Sequence, residues 1–316
     1  TDAFQGDVAV VFNGLPDDLS LNDYPQAYGI WDVTDTKEPR FLSAVNVGGL
    51  PSASSYWERL LATGEGDLGD RPDDSKAVAG HHFYTLYSDV DSGVRMGIVD
   101  LSDPRAPVVV GLWHNSDEVL LVGLSVNERA TRAYAVGVTP YPYGESTELG
   151  VLYVIDVKDP ANPMEIGRYL FDSRRAAPYA VPNDDDSLVI LADGGWGITP
   201  DECDLPHGIL HILDVSDLES IHEISSIAIE ETELCDLRGK TRAYQAQDVV
   251  VRGDLVYSTW LAGGLRVIDI SDPTKPVEVG RFDSPQEETP WLSDLALYGD
   301  LVVTSTVWWS GLYVVR

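Results

Sequence analysis

One phrase recurs along the sequence, and this repetition limits the possible folds more than any other feature. Five full copies begin at Tyr28, Met96, Leu152, Leu210 and Leu265, the last reading LRVIDISDPTKPVEVGRF. A shortened sixth copy reads GLYVVR, at residues 311–316. Copies of one motif at spacings of about 50 to 70 residues are typical of repeat architectures, in which each copy is one supersecondary unit packed against its neighbours.

The unit around the fifth copy predicts four β-strands, at residues 247–251, 255–260, 265–270 and 277–282. Val, Ile and Tyr dominate these runs, and turn signals such as RGD and SDPTKP separate them. Four-stranded antiparallel units repeated radially form a β-propeller. We therefore predict an all-β chain, a β-propeller of about six four-stranded blades, with residues 1–316 as one domain. The first unit lacks a clear first strand, and the last lacks a fourth.

The turn after each repeated strand carries two aspartates, such as Asp269 and Asp272 in the fifth copy. Calcium loops use similar residues, but Asp is also a common turn residue because its carboxylate accepts backbone N–H bonds. Its presence in every copy favours the structural role, and we expect Asp32, Asp156 and Asp214 to hold their turns in the same way.

The phrase LRVIDISDPTKPVEVG resembles the LVIVD repeat of bacterial and archaeal propeller proteins. The copies at Leu265 and Leu152 are close to that pattern, whereas those at Tyr28 and Leu210 are weaker, the latter reading SDLES in place of SDP. The resemblance implies a propeller fold and an extracellular, cell-surface or periplasmic location. It implies no catalytic residues, because members of the family mostly have no assigned activity.

The net charge is strongly acidic, at −31 for 316 residues. Such a surface repels phosphate backbones and anionic lipids, so we expect no nucleic-acid partner and no electrostatic membrane attachment.

No apolar run reaches the length of a membrane-spanning helix, which excludes direct membrane insertion by a helix. The start, TDAFQGDVAVVFNG, lacks the pattern of a signal peptide, so we expect a soluble, already processed chain.

Long connections are predicted at only one end of the blades, where the second strand joins the third and where one blade joins the next. Aromatic residues concentrate there, and this end is the candidate binding surface. The predicted binding residues are Trp57, Tyr141, Tyr143, Trp196, Trp291, Trp308 and Trp309. Trp260 belongs to the same group. The alternative is that these rings fill gaps between blades.

Two aspartates, Asp248 and Asp294, occupy the same position at the start of a first strand, where the second unit has Arg59. Carboxylates that converge on a propeller axis can hold Ca²⁺ together with carbonyls and water. Ca²⁺ is therefore the one candidate cofactor. Alternatively, Asp248 pairs with Arg59 or caps a local turn.

The two cysteines, Cys203 and Cys235, fall in long connections at the same end, and we predict a disulfide between them. Two separate thiols in a reducing compartment are the alternative. Neither cysteine has a CxxC partner or an adjacent base, which argues against cysteine catalysis.

The sequence predicts a non-enzymatic binding or scaffolding propeller that engages a protein partner or surface assembly through its loop-rich aromatic face. No nucleophile motif or phosphate-binding loop occurs in the strand and helix context that its chemistry requires. The six histidines do not have the spacing found in metalloproteases. Catalytic residues are therefore not assigned. The alternative is a propeller enzyme, a hydrolase or metal-dependent oxidase, with its site in the central channel.

Overall fold

The computed structural model describes fourteen segments of the chain, and every regular element in them is a β-strand. The described residues are 3–5, 8–12, 27–35, 37–47, 76–89, 93–115, 119–138, 149–172, 179–193, 208–228, 246–260, 263–283, 292–306 and 311–316. In these segments no helix is long and apolar enough to cross a membrane.

The strands form six antiparallel sheets in which each strand pairs with the next one in the chain. Sheet 1 contains β1 (Ala3–Gln5), β2 (Val8–Phe12), β3 (Ala27–Asp32) and β4 (Arg40–Asn46). Sheet 2 contains β5 (Lys76–Ala79), β6 (His82–Asp89), β7 (Gly93–Asp100) and β8 (Val108–Trp113). Sheet 3 contains β9 (Leu120–Val126), β10 (Arg132–Val138), β11 (Leu149–Asp156) and β12 (Met164–Asp172).

The remaining sheets follow the same order. Sheet 4 contains β13 (Tyr179–Pro182), β14 (Leu188–Asp193), β15 (Ile209–Asp214) and β16 (His222–Ala228). Sheet 5 contains β17 (Asp248–Arg252), β18 (Leu255–Thr259), β19 (Leu265–Asp269) and β20 (Val277–Phe282). Sheet 6 contains only β21 (Leu292–Tyr298), β22 (Leu301–Thr306) and β23 (Leu312–Val315) among the described residues.

The number of sheets and the repeating meander agree with the sequence prediction, with two differences in the first strands of sheets 1 and 2. Sheet 1 has a first strand, β1, which the sequence did not indicate, and it pairs with β2 from Ala3 opposite Val10 to Gln5 opposite Val8. In sheet 2 the first strand begins at Lys76, so it is not the segment around Arg59.

The chain divides into two compact units, one of Thr1–Ala135 with Val154–Ile166 and the other of Val136–Tyr153 with Gly167–Arg316. In the first unit the core joins sheets 1 and 2, where Ile30 packs with Phe83 and Val99. A buried hydrogen bond of 2.6 Å between the hydroxyls of Tyr28 and Thr85 links the same two sheets. This core therefore lies between neighbouring sheets, as blade packing requires.

The second unit has two cores of the same kind. Between sheets 4 and 5, a cluster includes Leu210, Ile212 and Val256. Between sheets 5 and 6, Leu265 packs with Leu292 and Val302. Three of the strands that carry the repeated phrase, β3, β15 and β19, thus place apolar side chains against the next sheet of their own unit.

The turn between the third and fourth strands has the same form in all five complete sheets. In sheet 5, Asp269 accepts a hydrogen bond from the Ser271 amide at 2.8 Å, and Asp272 accepts one from the Thr274 amide at 3.1 Å. Equivalent bonds are made by Asp32 and Asp35, Asp100 and Asp103, Asp156 and Asp159, and Asp214 and Asp217. The predicted structural role of these aspartates is confirmed, since each carboxylate closes an Asx turn.

Candidate functional site

The two ends of the sheets differ in the regularity of their connections. At one end, every link from third to fourth strand has seven residues, 33–39, 101–107, 157–163, 215–221 and 270–276. The links from first to second strand at that end have two to five residues. At the other end, the links vary from the three residues of 90–92 to the long segment 47–75. Variation in the length of the connections is therefore concentrated at one end, where loops can differ without disturbing the sheets.

The seven aromatic residues predicted to bind a partner all belong to this variable end and lie outside the described residues. They are Trp57, Tyr141, Tyr143, Trp196, Trp291, Trp308 and Trp309. The cysteines Cys203 and Cys235 also lie outside the described residues, as does Arg59. Their roles stay predictions.

Trp260, which follows β18 at the same end, is described and is a core residue. Its side chain is 1% exposed and belongs to the cluster between sheets 4 and 5. Its backbone closes a tight link, because its amide donates to the Gly264 carbonyl at 2.7 Å and its carbonyl accepts from the Gly263 amide at 2.6 Å. The alternative interpretation, that these aromatic rings fill gaps between blades, is therefore correct for Trp260.

Asp248, at the start of β17, connects the first strands of sheets 5 and 6. One carboxylate oxygen, Oδ1, accepts a hydrogen bond from the Val249 amide at 2.7 Å, and Oδ2 accepts one from the Leu295 amide in β21 at 2.8 Å. The second bond crosses between sheets. Of the roles considered for Asp248, the structure therefore shows the capping of local backbone, and it extends that role to the neighbouring strand.

Asp294 has a different set of partners, although it occupies the equivalent repeat position. Its Oδ2 accepts hydrogen bonds from the hydroxyls of Ser305 at 2.8 Å and Ser293 at 3.3 Å. The Ser293 carbonyl in turn accepts a bond from the Thr259 hydroxyl of sheet 5. Sequence patterns did not identify these hydroxyl groups, because Ser and Thr are common in strands and only the pairing of β21 with β22 and its packing beside β18 bring them together.

No group of three His, Cys, Asp or Glu side chains that could hold a metal ion occurs in the described part of the chain. His211 on β15 and Glu223 on β16 form a pair, with their Nδ1 and Oε2 atoms 3.1 Å apart, but the described residues add no third ligand to it. A calcium site at Asp248 and Asp294 would therefore need carbonyls, water or residues of the undescribed loops. The Ca²⁺ assignment stays a prediction.

Two buried polar atoms at the variable end of sheet 5 have no hydrogen-bond partner among the described residues. They are Gln247 Oε1 and Trp260 Nε1, in side chains that are 5% and 1% exposed. Buried polar atoms in native proteins are usually satisfied, by protein or by ordered water. One is an acceptor and the other a donor, so a small polar group bound at this end could satisfy either.

Comparison with known proteins supports the architecture. A family model described as the LVIVD repeat matches residues 149–170 and 244–284, which contain the third and fifth copies of the repeated phrase. No curated protein sequence matches the chain.

Two solved structures are similar in fold. A crystal structure of a structural-genomics target from Lactobacillus plantarum superposes with a TM-score of 0.64 at 12% identity, covering 96% of this chain and 76% of that one. A chain in the crystal structure of the mitotic checkpoint complex gives a TM-score of 0.54 at 11% identity, covering 95% and 68%. At these identities the likeness concerns the fold alone, and with the six antiparallel sheets it confirms a β-propeller.

Proposed function

We propose that this β-propeller, which matches the LVIVD-repeat model at residues 149–170 and 244–284, is a non-enzymatic binding or scaffolding protein that engages a protein partner through the variable end of its sheets. We propose further that it works outside the cytoplasm, in an extracellular, cell-surface or periplasmic setting. The observation that carries the proposal is the contrast between the two ends, one with constant turns and the other with variable, aromatic-rich connections.

The end of the sheets that carries the regular turns is suited to a structural role, which leaves binding to the variable end. Turns that repeat the same length and the same aspartate bonds stabilise the sheets and leave little room for specificity. Loops on a rigid β-framework are where binding residues concentrate, and Trp and Tyr supply large contact areas at low entropic cost. Seven such rings are predicted at the variable end.

The charge narrows the class of partner. A net charge of −31 disfavours nucleic acids and anionic membranes and favours a protein with a basic surface. The same charge makes association depend on ionic strength, since screening weakens attraction between opposite charges.

Site-specific crosslinking tests the proposal. A photoreactive phenylalanine analogue replaces Trp291 or Trp308 at the variable end, and Leu170 on β12, which is 60% exposed, in the matched control. The chain is expressed in its own cells and irradiated. We expect discrete crosslinked proteins from the two tryptophan positions and none from Leu170. Equal crosslinking at all three positions, or none at any, would contradict binding through the variable end.

The enzyme alternative makes a different prediction for the purified protein. A metal-dependent site in the central channel would retain a stoichiometric metal ion, measurable by elemental analysis, and would lose it on substitution of Asp248 or Asp294 by Asn. A protein without retained metal that still crosslinks at Trp291 supports the binding function.

A further inference from the structure

We propose that the variable end of sheet 5 contains a site for a single amide group, which donates its N–H to Gln247 and accepts a hydrogen bond from the indole of Trp260. Within the proposed binding function, on which this assignment rests, the amide belongs to the main chain of the protein partner. Both residues are described, and neither is one of the seven aromatic residues predicted to bind a partner.

Gln247 and Trp260 are neighbours across the first two strands of sheet 5. The pairing of β17 with β18 ends with Asp248 opposite Thr259, and the Gln247 amide donates to the Thr259 carbonyl at 2.8 Å. Gln247 precedes this last pair in the chain and Trp260 follows it. Side chains that face each other across two strands have Cβ atoms about 5 Å apart, so one small group can reach both.

Both side chains belong to the seam between sheets 4 and 5. Asp248 bonds to the Leu295 amide of sheet 6, so its neighbour Gln247 lies on the opposite face of β17, the face that carries Val249. The Trp260 ring packs in the same cluster as Val249, between sheets 4 and 5. Two polar side chains therefore meet where the apolar core of this seam reaches the variable end.

Each of the two side chains carries one buried polar atom that has no hydrogen-bond partner among the described residues. Trp260 Nε1 can only donate, and Gln247 Oε1 can only accept. Leaving such atoms unsatisfied is costly, and Phe and Met would fill similar space without that cost. Packing alone therefore does not account for an indole and an amide at these positions.

The backbone around Trp260 holds the indole in place. The Trp260 amide donates to the Gly264 carbonyl at 2.7 Å, and its carbonyl accepts from the Gly263 amide at 2.6 Å. Gly264 has a φ of +79°, and a Cβ there would meet the carbonyl of Phe282, so this tight link requires glycine. A donor that is already fixed loses little conformational freedom when a ligand binds.

A secondary amide has the hydrogen-bonding groups that this pair lacks. It has one carbonyl oxygen for the indole N–H and one N–H for the Gln247 oxygen, whereas a carboxylate has no donor and an ammonium group has no acceptor. The surrounding cluster is largely apolar, with Ala192 and Leu210 of sheet 4 at 0% and 1% exposure, and hydrogen bonds are stronger in such surroundings. An ordered water also has a donor and an acceptor, and the experiment below separates the two occupants.

The connections beside this seam support a binding role. The connection 194–208 lies within sheet 4, and 229–247 leads from sheet 4 into sheet 5; they are the longest between the described strands of the second unit. Long connections on a rigid framework are where binding residues concentrate. This seam is therefore the sector of the variable end where we expect the partner's main chain to be held.

Indole N–H resonances in the nuclear magnetic resonance spectrum report directly on Trp260. The full chain is labelled with isotopic tryptophan, and Trp260→Phe identifies the Trp260 signal among those of the 8 tryptophans. The probe is N-methylacetamide, which has one N–H and one C=O, and the control compound is N,N-dimethylacetamide, which has no N–H. We expect N-methylacetamide to shift the Trp260 signal saturably and to bind about threefold to tenfold more tightly than the control compound.

Gln247→Met removes the acceptor and keeps a side chain of similar length. In this variant the two compounds should bind equally, whereas Gln5→Met, the same substitution in sheet 1, should leave the preference unchanged. The melting temperatures of Trp260→Phe and Gln247→Met should not fall below that of the natural chain, because each variant removes a buried polar atom that has no partner among the described residues.

Three results would overturn the site. They are no shift of the Trp260 signal, equal binding of the two compounds by the natural chain, and a preference that survives Gln247→Met. If there is no shift and both variants melt at a lower temperature, the pair of atoms holds an ordered water only.

The crosslinking experiment judges the partner separately. Amide binding without crosslinks from Trp291 and Trp308 would keep the site and contradict the protein-partner function. Crosslinks without an amide response would keep the function and overturn the site.

Discussion

A single position in each fourth strand controls how closely neighbouring sheets approach. It is Ser43, Gly111, Gly167, Ser225 or Gly280 in the five complete sheets. In the first four the residue lies against a backbone carbonyl of the following turn, so only a small side chain fits, and the two serines also donate a hydrogen bond to that carbonyl. The repeat therefore selects Gly or Ser here for space.

Gly111→Ala and Gly280→Ala form a matched pair that tests this packing. At Gly111 the added methyl meets the Pro160 carbonyl oxygen at 1.8 Å, so the sheets must separate, and we expect a loss of about 1–3 kcal/mol in the free energy of unfolding. At Gly280 the nearest contact is an ordinary 3.5 Å, and we expect a change within about 0.5 kcal/mol. Urea unfolding measures both, and equal losses would contradict the packing argument.

The turn aspartates make part of the stability dependent on pH. Hydrogen bonds from the Ser216 hydroxyl and amide hold the pKa of Asp214 below its ordinary value. A carboxylate whose pKa is lower in the folded chain adds stability above its unfolded pKa, near 3.9, and this stability is lost as the pH falls through the folded pKa.

Asp214→Ala tests this linkage. We expect the difference in unfolding free energy between the natural chain and the variant to be larger at pH 7 than at pH 2.5, because only the ionised carboxylate makes the stronger bonds. Denaturant titrations at a series of pH values give the difference. A difference that is independent of pH would mean that the carboxylate contributes by shape alone.

At the scale of elements, polar contacts between sheets supplement the apolar cores. In the second unit, Asp248 joins the first strands of sheets 5 and 6, and Ser225 joins the fourth strand of sheet 4 to the turn of sheet 5. The apolar clusters drive burial without fixing a register, whereas these bonds each require one relative position of two strands.

Ser225→Ala measures one such contact. The variant leaves the Pro273 carbonyl without its hydroxyl donor at a partly buried site, and we expect a loss of about 1 kcal/mol. Ser226→Ala, on the exposed face of the same strand, is the control and should change stability little. Thermal and urea unfolding of the two variants, compared with the natural chain, give the values. Equal effects would indicate strand propensity instead of the bond between sheets.

The predicted Cys203–Cys235 disulfide would also link separate elements, because it would join the connection within sheet 4 to the connection that leads into sheet 5. A bond that closes a loop of roughly thirty residues is expected to add about 3–4 kcal/mol in the chain-entropy model. Thiol titration of the unfolded, unreduced protein should find no free thiol, and reduction should lower the melting temperature. Two free thiols would contradict the disulfide and remove an argument for an oxidising compartment.

At the scale of the whole molecule, the dominant property is the net charge of −31. Self-repulsion of that size destabilises a compact state, and salt screens it over a Debye length of about 10 Å at 0.1 M. The charge therefore sets the conditions in which the chain is most stable as well as the partners that it attracts.

The melting temperature should rise as NaCl increases from low to near-molar concentration. CaCl₂ and MgCl₂ at matched ionic strength then test the predicted calcium site. Ca²⁺ should stabilise beyond Mg²⁺, and the difference should disappear in Asp248→Asn and Asp294→Asn, if those carboxylates hold the ion. Calorimetry gives the temperatures, and equal effects of the two cations would contradict the site.

The sequence by itself determined the fold class, because a strand period, a turn with two aspartates and a small residue recur in the same order in all five full copies. The repeat even located the third and fourth strands, since their seven-residue turn is set by local Asx bonds. The connections between units contain no such local hydrogen-bonding pattern. For that reason the sequence placed the first strand of sheet 2 near Arg59 instead of at Lys76, and gave no sign of β1.

Only the tertiary structure decided which side chains contact each other and which are buried. Two aspartates at one repeat position, Asp248 and Asp294, have different partners because one reaches an amide of the next sheet and the other meets hydroxyls of its own. The residue types alone do not predict that the side chains of Trp260 and Arg266 are each 1% exposed. Nor do they predict that Arg266 Nη1 lies 3.2 Å from Asp283 Oδ1. Leu265 and Leu312 share a residue type and a repeat position, yet differ in exposure, because burial depends on the neighbouring strands and sheets, which no local pattern specifies.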